Sequence, residues 1–417
     1  MKIAIIGSGI SGLTAAYLLN PDHDICVYEK ADRIGGHTAT KQLQLAGRDY
    51  AIDTGFIVYN DWTYPNFIKL METLGVASQT TAMGFSVTAH QGRYEYSGNG
   101  FDGLFAQRKN LCNIKHWRML RDIVRFNKQA IADLQSGELD GDATLAQYLA
   151  ANGYSRQFID YYLIPMGCAI WSSSTDMMLD FPLQFFVQFF KNHGLLSIKN
   201  RPQWHVLQGG SSSYLPKLTA SFNDKIQLNT DITSVSRHSE GATLTFAEGQ
   251  QQQFDHVIFA CHSDQALKLL ADPSEAEQSV LGDIHYKSNE VVLHYDETLL
   301  PRNKKTWSSW NYLLSQTQQE HAVLTYNMNI LQGIESDHTF CVTLNASDQI
   351  DAKKILGRYQ YSHPVFTEAA IEAQQRWPEI NGSQRTWFCG AYWANGFHED
   401  GCSSGLRVAV ALGAKPL

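Results

Sequence analysis

The sequence has no pair of cysteines at the spacing of a redox or zinc motif. Its seven cysteines stand apart at 26, 112, 168, 261, 341, 389 and 402. An odd, scattered set supplies neither a disulfide framework nor a zinc site, so no metal is expected. No run of about 18 apolar residues occurs, which argues against a membrane-spanning helix. Positive charge is also short: 33 Lys and Arg face 41 Asp and Glu, for a net charge of −8. That balance argues against a general nucleic-acid binder. No leader precedes the first apolar run, and a reduced, cytoplasmic setting is expected. Internal repeats and long Pro/Gly/Ser linkers are missing as well. What remains is a globular composition, 44% hydrophobic and 18% charged over 417 residues. That length suggests two or three domains. Aromatics reach 12%, enough to line a pocket for an apolar substrate.

The most informative stretch is "IGSGISG" at residues 6–12. "KIAII" before it reads as a buried strand, and "LTAAYLL" after it is strongly helix-forming. The motif Gly7-x-Gly9-x-x-Gly12, with Ile10 and Ser11 between the last two glycines, then lies on a strand-to-helix turn. There Gly7 permits the turn, Gly9 admits a pyrophosphate, and Gly12 lets helix and strand pack closely. The anion rests on unpaired N–H groups at the helix start. A second strand, "DICVYE", ends in Glu29, placed to accept hydrogen bonds from a ribose. A carboxylate repels a 2′-phosphate, so NADP is disfavoured, and NAD and FAD remain open on these residues. An ordinary βαβ unit with packing glycines is the bland alternative.

Further along, "KADRIGGHT" follows Glu29. Gly35 and Gly36 let backbone approach a phosphate, and Lys30, Arg33 and His37 offer donors nearby. Residues 60–200 are mostly helical in pattern. Residues 203–262 return to strands, with "GQQQQ" (249–253) read as a hairpin turn. Residues 285–345 read as longer, mixed strands, and the end is strand, loop and helix. The interleaving predicts a nucleotide domain from 1–58, 203–270 and 375–417, with substrate-domain segments 59–202 and 271–374 between them.

"YEKADRIGGHT" resembles a segment of the FAD-dependent amine oxidase and phytoene desaturase superfamily. The similarity continues in "IDTGFIVYN" (52–60), "LQGGSSSYLPKL" (207–218), "IQLNTDITSV" (226–235) and "WFCGAYWANGFHEDGCSSGLRVA" (387–409). The resemblance implies an α/β fold: a Rossmann-like, glutathione-reductase-like FAD domain built from discontinuous segments. An inserted α+β substrate domain would carry a mixed sheet and a helical subdomain. It implies FAD contacts at Thr54, Gly55 and Phe56, at Ile232 beside the adenine, and at Gly390, His398, Glu399, Asp400 and Gly401. Cys389 sits inside a nucleotide strand and offers no attachment point, so non-covalent FAD is expected. More narrowly, "GAYWANGFHEDG" and "IWSSSTDMMLDFP" resemble a bacterial group of predicted FAD-binding oxidoreductases. Relatives of that group form the N-terminal domain of plant cyclopropane fatty acid synthases, which implies a lipid substrate.

The chain departs from amine oxidases where many hold a water near flavin N5 with a lysine. Glu290 falls at that place, and Lys287 is off register in a strand. His363 is the candidate base; Tyr326, Asn327 and Asn289 are further polar candidates near the ring. "FPLQFFVQFFKNHGLL" (181–196) reads either as a core helix or as the wall of an acyl tunnel. Between 108 and 128 lie seven Lys or Arg and one acid, Asp122. Read as a helix, Lys115, Arg118, Arg121, Arg125 and Lys128 share one side. Trp117, Leu120, Ile123, Val124 and Ile131 share the other. That basic face is either solvated or a docking face for anionic membrane. The reading is an FAD oxidoreductase that desaturates a fatty acyl chain. The alternatives are a flavin amine or amino-acid oxidase, and a non-catalytic FAD-bearing partner of a lipid methyltransferase.

Overall fold

The computed structural model describes residues 1–139, 141–314 and 323–417. The chain forms two compact units, each built from separated segments.

The first unit comprises Met1–Gln79, Leu207–Tyr286 and Pro364–Leu417. Its elements include β1 (Lys2–Ile6), α1 (Ile10–Leu19), β2 (Asp24–Tyr28), α2 (Pro65–Thr73), β3 (Ile226–Gln227), β4 (His256–Phe259), β5 (Thr386–Phe388) and α3 (His398–Ala411). The five strands form one parallel sheet in the order β3-β2-β1-β4-β5. Alternation along β1 explains its two covered faces. Ile3 and Ile5 pack with Leu13 and Ala16 of α1 and Val408 of α3. Ala4 and Ile6 face the other way, toward Val235, Leu244 and Phe254 of a three-stranded antiparallel sheet. A parallel sheet buried on both sides must be apolar on both, which is why "KIAII" does not alternate with polar residues.

Against the expected segments 1–58, 203–270 and 375–417, the unit begins its middle segment at Leu207, leaving 203–206 to the second unit, and extends further at the other inner boundaries. Residues 59–79 belong to it because α2 buries Phe67, Leu70 and Met71 in the same core as α1. Residues 271–286 and 364–374 join it through Val280, Leu281, Ala370 and Ala373, which share the opposite core. The hairpin near "GQQQQ" runs from Gly241–Phe246 to Gln251–Phe254. Three of its glutamines are therefore strand residues, and the turn lies just before them.

The second unit comprises Thr80–Val206 and Lys287–His363. Among the described residues its sheet has seven strands and is mixed: Trp310–Leu313 pairs parallel with Phe85–Ala89, and antiparallel with Val323–Asn327. The long helix Ile114–Ser136 starts at Asn113, whose side chain accepts from the N–H groups of Lys115 and His116. It ends at Gly137, which is left-handed at φ 79°.

The buried side of that helix is not the one that hydrophobic spacing predicts. His116, Met119, Asp122, Phe126, Asn127 and Ala130 face inward, while Trp117 and Val124 are exposed. Three of the inward residues are polar. His116 Nδ1 lies 2.8 Å from Tyr94 Oη, and Asp122 accepts from Ser155 N–H at 3.1 Å. Polar anchors set the rotation of the helix, and an apolar count cannot see them. Arg125 turns toward the protein, stacking over Tyr154 at 3.9 Å and donating to the Asn152 carbonyl at 3.2 Å.

The helix Leu183–Asn192 settles the "FPLQFFVQFF" stretch as core. Phe186 and Phe190 stack at 4.1 Å and are fully buried, with Trp171 beside them. They have no face left for a ligand. Among the described residues, no helix is long and apolar enough to cross a membrane.

Candidate functional site

The candidate site lies in the first unit, at the C-terminal end of β1. Gly7 has φ +109°, and a Cβ there would sit 2.8 Å from the Ala260 carbonyl oxygen. A Cβ on Gly12 would lie 2.1 Å from the Gly7 carbonyl oxygen. Both positions therefore require glycine for packing. Gly9 differs: a Cβ there would meet nothing within 4 Å. It is the N-cap of α1, and no side chain caps that helix start. The start of α1 thus has no side-chain cap and has open space beside Gly9, as an anion site needs.

A second helix start meets the first. A Cβ on Gly401 of α3 would lie 2.7 Å from Ile10 Cγ2 and 3.1 Å from Ser11 Oγ. One on Gly405 would lie 2.2 Å from the Ser11 carbonyl oxygen. Glycines one turn apart let the backbones of α1 and α3 nearly touch. Two helix N-termini then bring partial positive charge to one place.

Glu29 stands at the end of β2 and holds the glycine turn. Its carboxylate accepts from Ser8 N–H at 2.9 Å, Ser8 Oγ at 2.6 Å and Ala31 N–H at 2.9 Å. Gly35 N–H donates to the Ser8 carbonyl at 2.9 Å, tying the following loop to the same turn. Gly36 packs on Gly9, where its own Cβ would be 3.3 Å from Gly9 Cα. Arg33 is occupied differently from the sequence expectation. It donates to the carbonyls of Ile34, Thr38 and Gly36 at 2.8 to 3.3 Å, so it shapes the loop from within. Lys30 pairs with Asp231 at the surface, at 3.0 Å. Ile232, next to Asp231, begins the first strand of the antiparallel sheet.

His37 and Thr54 to Phe56 form the adjoining wall. The His37 carbonyl accepts from Phe56 N–H at 2.8 Å, and a Cβ on Gly55 would stand 2.0 Å from that oxygen. Thr54 Oγ1 donates to the Ala39 carbonyl. Phe56 stacks on His398, the first residue of α3. Tyr214 Oη bridges from Thr38 Oγ1, at 2.9 Å, to His398 Nε2, at 3.0 Å. Burial pushes the His398 imidazole down to a pKa of about 3, so it is neutral.

The next two residues separate in role. Glu399 faces α2, accepting from Asn66 N–H, Asn66 Nδ2, Phe67 N–H and Ser403 Oγ. It caps a helix start, and the expectation of a direct cofactor contact does not match this placement. Asp400 accepts from Phe397 N–H at 2.8 Å, and burial raises its carboxyl to about 7. Gly390 N–H donates to Ser404 Oγ at 3.1 Å, joining the end of β5 to α3. Cys389 between them is fully buried, and burial raises its thiol.

Sequence reasoning missed Asp53. It is fully buried and accepts from Thr40 Oγ1 at 2.6 Å and from Ser211 N–H and Oγ at 2.9 Å. Burial raises its carboxyl to about 6 against those hydrogen bonds. It clamps the Gly209–Gly210 loop, where a Cβ on Gly210 would strike Thr40. Only the acid just before "TG" hinted at it. A separate cleft of about 370 Å³ lies nearby, lined by Arg33, Ile34, Lys41, Ser212 and Leu215. None of the three motif glycines lines it, so its chemistry is distinct from the anion site.

In the second unit, the strand Tyr286–His294 carries the polar candidates. Asn345 Nδ2 donates to Asn289 Oδ1 at 2.9 Å, which turns the Asn289 amide nitrogen toward His363 Nδ1 at 3.2 Å. His363 Nδ1 then accepts, and Nε2 carries the proton. Lys287 and Asn289 share one face of the strand, and Glu290 takes the other. Glu290 pairs with Arg358 at 3.1 Å, while Lys287 Nζ lies 3.9 Å from Met177 Sδ. Tyr326 and Asn327 belong to the strand Val323–Asn327, whose Asn327 caps the following helix turn.

The profile of the family described as flavin containing amine oxidoreductase matches residues 10–329. A Mycobacterium tuberculosis protein named as a flavin-containing monoamine oxidase, AofH, is 24% identical over 266 residues, covering 60% of this chain and 55% of that one. Polyamine oxidase 4 of Oryza sativa is 21% identical over 321 residues, covering 72% and 60%. The chain thus spans little more than half the length of these curated relatives. The crystal structure of the CLA-producing fatty acid isomerase from P. acnes superposes with TM-score 0.70 at 14% identity, covering 99% of this chain and 98% of that one. Putrescine oxidase bound to putrescine gives 0.69 at 15% identity, covering 99% of each. At such identities the likeness is one of fold.

Proposed function

Because the chain belongs to the flavin containing amine oxidoreductase family, we propose that it is an FAD-dependent oxidoreductase whose substrate is the acyl chain of a lipid. The observation that carries the cofactor assignment is the meeting of two helix N-termini beside the open space at Gly9. When bound, FAD supplies the hydride acceptor. The chain's own residues do the rest. Gly9, Ile10, Ser11 and Gly12 would offer backbone N–H groups to the pyrophosphate, Gly7 would shape the turn while its own N–H donates to the Tyr28 carbonyl at 2.8 Å, and Gly401 brings α3 to the same charge. Glu29 keeps acceptor capacity for a ribose hydroxyl while it fixes Ser8. Gly36, His37, Thr54 and Gly55 form the wall beside it, and Ile232 offers backbone to the adenine. His398 and Phe56 make a rigid, uncharged floor, and neither donates a proton at neutral pH. Cys389 is enclosed, which supports a dissociable cofactor.

His363, with Nδ1 occupied by Asn289, is better suited to donate from Nε2 than to remove a proton. It is therefore assigned a positioning role in place of the base that position alone suggested. The acyl reading draws support from Glu290, which pairs with Arg358 at 3.1 Å at the place where the family resemblance implies a lysine in many amine oxidases. An amine oxidase is the second reading, favoured by the names of the curated relatives.

Anaerobic mixing separates the two. Bleaching of the flavin by a methylated or unsaturated acyl lipid, with none by simple amines, supports the acyl reading. Rapid bleaching by a monoamine or polyamine alone overturns it. Tight FAD binding with no response to either class overturns both, and leaves a flavin-bearing partner of another enzyme.

A further inference from the structure

Exposed apolar side chains are concentrated in one place. Among the described residues, five of the ten large apolar side chains that stand exposed fall within residues 101–124: Phe101, Leu111, Ile114, Trp117 and Val124. Ile114 is 83% exposed, Phe101 60% and Trp117 48%. They are linked in space. Phe101 packs on Phe105 at 4.7 Å, Phe105 on Trp117 at 5.1 Å, and Trp117 Nε1 donates to the Leu111 carbonyl at 2.8 Å. Ile114, Trp117 and Val124 lie along one stripe of the long helix, at spacings of three and seven residues. Side chains of this kind are ordinarily buried, because removing their apolar surface from water is favourable.

The charge around this patch is mostly positive, and the one exposed acid between 101 and 128, Asp102, is paired with Arg108 at 2.9 Å. From 108 to 128 the only acid is Asp122, and it is buried. Arg108 pairs with Asp102, Arg121 lies 3.9 Å from Asp122, and Arg125 is turned inward. Among the described residues, Lys115, Arg118 and Lys128 make no ion pair and stand exposed on the helix. An apolar tip ringed by free cations, on a chain of net charge −8, is complementary to one kind of surface. An aqueous polyanion needs the cations and has no use for Ile114 or Phe101. A bilayer with anionic headgroups uses both, with Trp117 at the depth where an indole has one apolar face and one hydrogen-bonded end.

We propose that the patch from Phe101 to Val124 docks the protein on the surface of an anionic phospholipid bilayer, with Ile114, Phe101 and Trp117 inserted at headgroup level. The docking does not depend on the acyl-substrate reading, because a lipid dispersed in detergent can reach the protein without it.

The test is flotation of the full chain with its cofactor on two kinds of vesicle: phosphatidylglycerol mixed with phosphatidylcholine, and phosphatidylcholine alone. The wild type is expected to float with the mixed vesicles at low salt, less at high salt, and hardly at all with the neutral ones. Arg118→Glu should lower partitioning about fivefold or more, since one charge at such a surface is worth about 1 kcal/mol, and Ile114→Ser should lower it as well by removing an inserted apolar side chain. Unchanged melting temperatures show that neither variant acts by unfolding. Absence of vesicle binding, or binding that both variants leave intact, overturns the proposal. So does binding weakened by Arg118→Glu but not by Ile114→Ser, with poly-glutamate competing fully. That pattern marks an acidic protein as the partner.

Discussion

Phe56 and His398 lie face to face, with ring centroids 3.7 Å apart and planes 7° apart. Phe67 closes the stack edge-on against both rings. A neutral imidazole suits this place, and burial holds it at about 3. In the unfolded chain the same ring titrates near 6.5. The unfolded state therefore takes up the proton first. Stability from the neutral ring is fully present above pH ~6.5 and is lost as the pH falls toward 3, by up to about 1.4 kcal/mol per pH unit. Asp53 and Asp400, whose carboxyls are raised to about 6 and 7, act in the opposite sense, losing stability as the pH rises through those values. The comparison that isolates the ring is wild type against His398→Gln by urea unfolding from pH 7 to 4. The variant should show the shallower loss toward acid. Parallel slopes would contradict a buried neutral His398.

The contact between α1 and α3 should tolerate no added methyl group. Gly405→Ala puts a Cβ 2.2 Å from the Ser11 carbonyl oxygen, and backbone cannot rotate away. The expected loss is on the order of 1–3 kcal/mol. Gly282→Ala is the matched control, because its nearest neighbour is a Leu267 methyl at 3.8 Å. It should be neutral or slightly stabilising. Thermal unfolding of the two variants checks the contrast.

Glu29 and Glu399 were read alike from the sequence, and the structure separates them. Glu399→Gln should destabilise the chain by about 1–3 kcal/mol, because it leaves the start of α2 poorly capped. Its FAD affinity should change little once the protein is kept folded at low temperature. Glu29→Ala should do the reverse. It frees Ser8 and removes the ribose acceptor, weakening FAD by about 1.5–3 kcal/mol with a smaller change in melting. Titrating FAD into each apo-variant and following flavin fluorescence distinguishes the two roles.

The parts of the site legible in the sequence are those with a local cause. The Gly7–Gly12 turn and the end of β2 at Glu29 follow from strand, glycine spacing and helix within thirty residues. The role of Gly405 was not legible, because its reason is the Ser11 carbonyl on a helix almost four hundred positions earlier. Asp53 was hidden likewise, since beyond its cross-strand partner Thr40 it is held by Ser211, 158 positions away. Arg33 was read as a donor to an anion because a loop cation looks free until the carbonyls around it are seen. The rotation of the Ile114–Ser136 helix was misread for a physical reason: His116 and Asp122 are buried by hydrogen bonds, which periodicity of apolar residues does not register. That misreading put Trp117 and Val124 on the apolar side, whereas both stand exposed in the proposed membrane contact.

The central claim is that FAD sits over the open space at Gly9, and one substitution tests it directly. A Cβ at Gly9 meets no protein atom within 4 Å, and its φ of −70° suits any residue. Gly9→Val should therefore fold as well as the wild type while filling the space reserved for the pyrophosphate. The measurement is the amount and identity of nucleotide released on denaturing equal amounts of the two purified proteins, with apo-protein melting as the control for folding. The account predicts intact FAD from a yellow wild type and almost none from Gly9→Val, at equal apo-melting temperatures. Equal FAD from both proteins, or a colourless wild type that releases NAD, would contradict it.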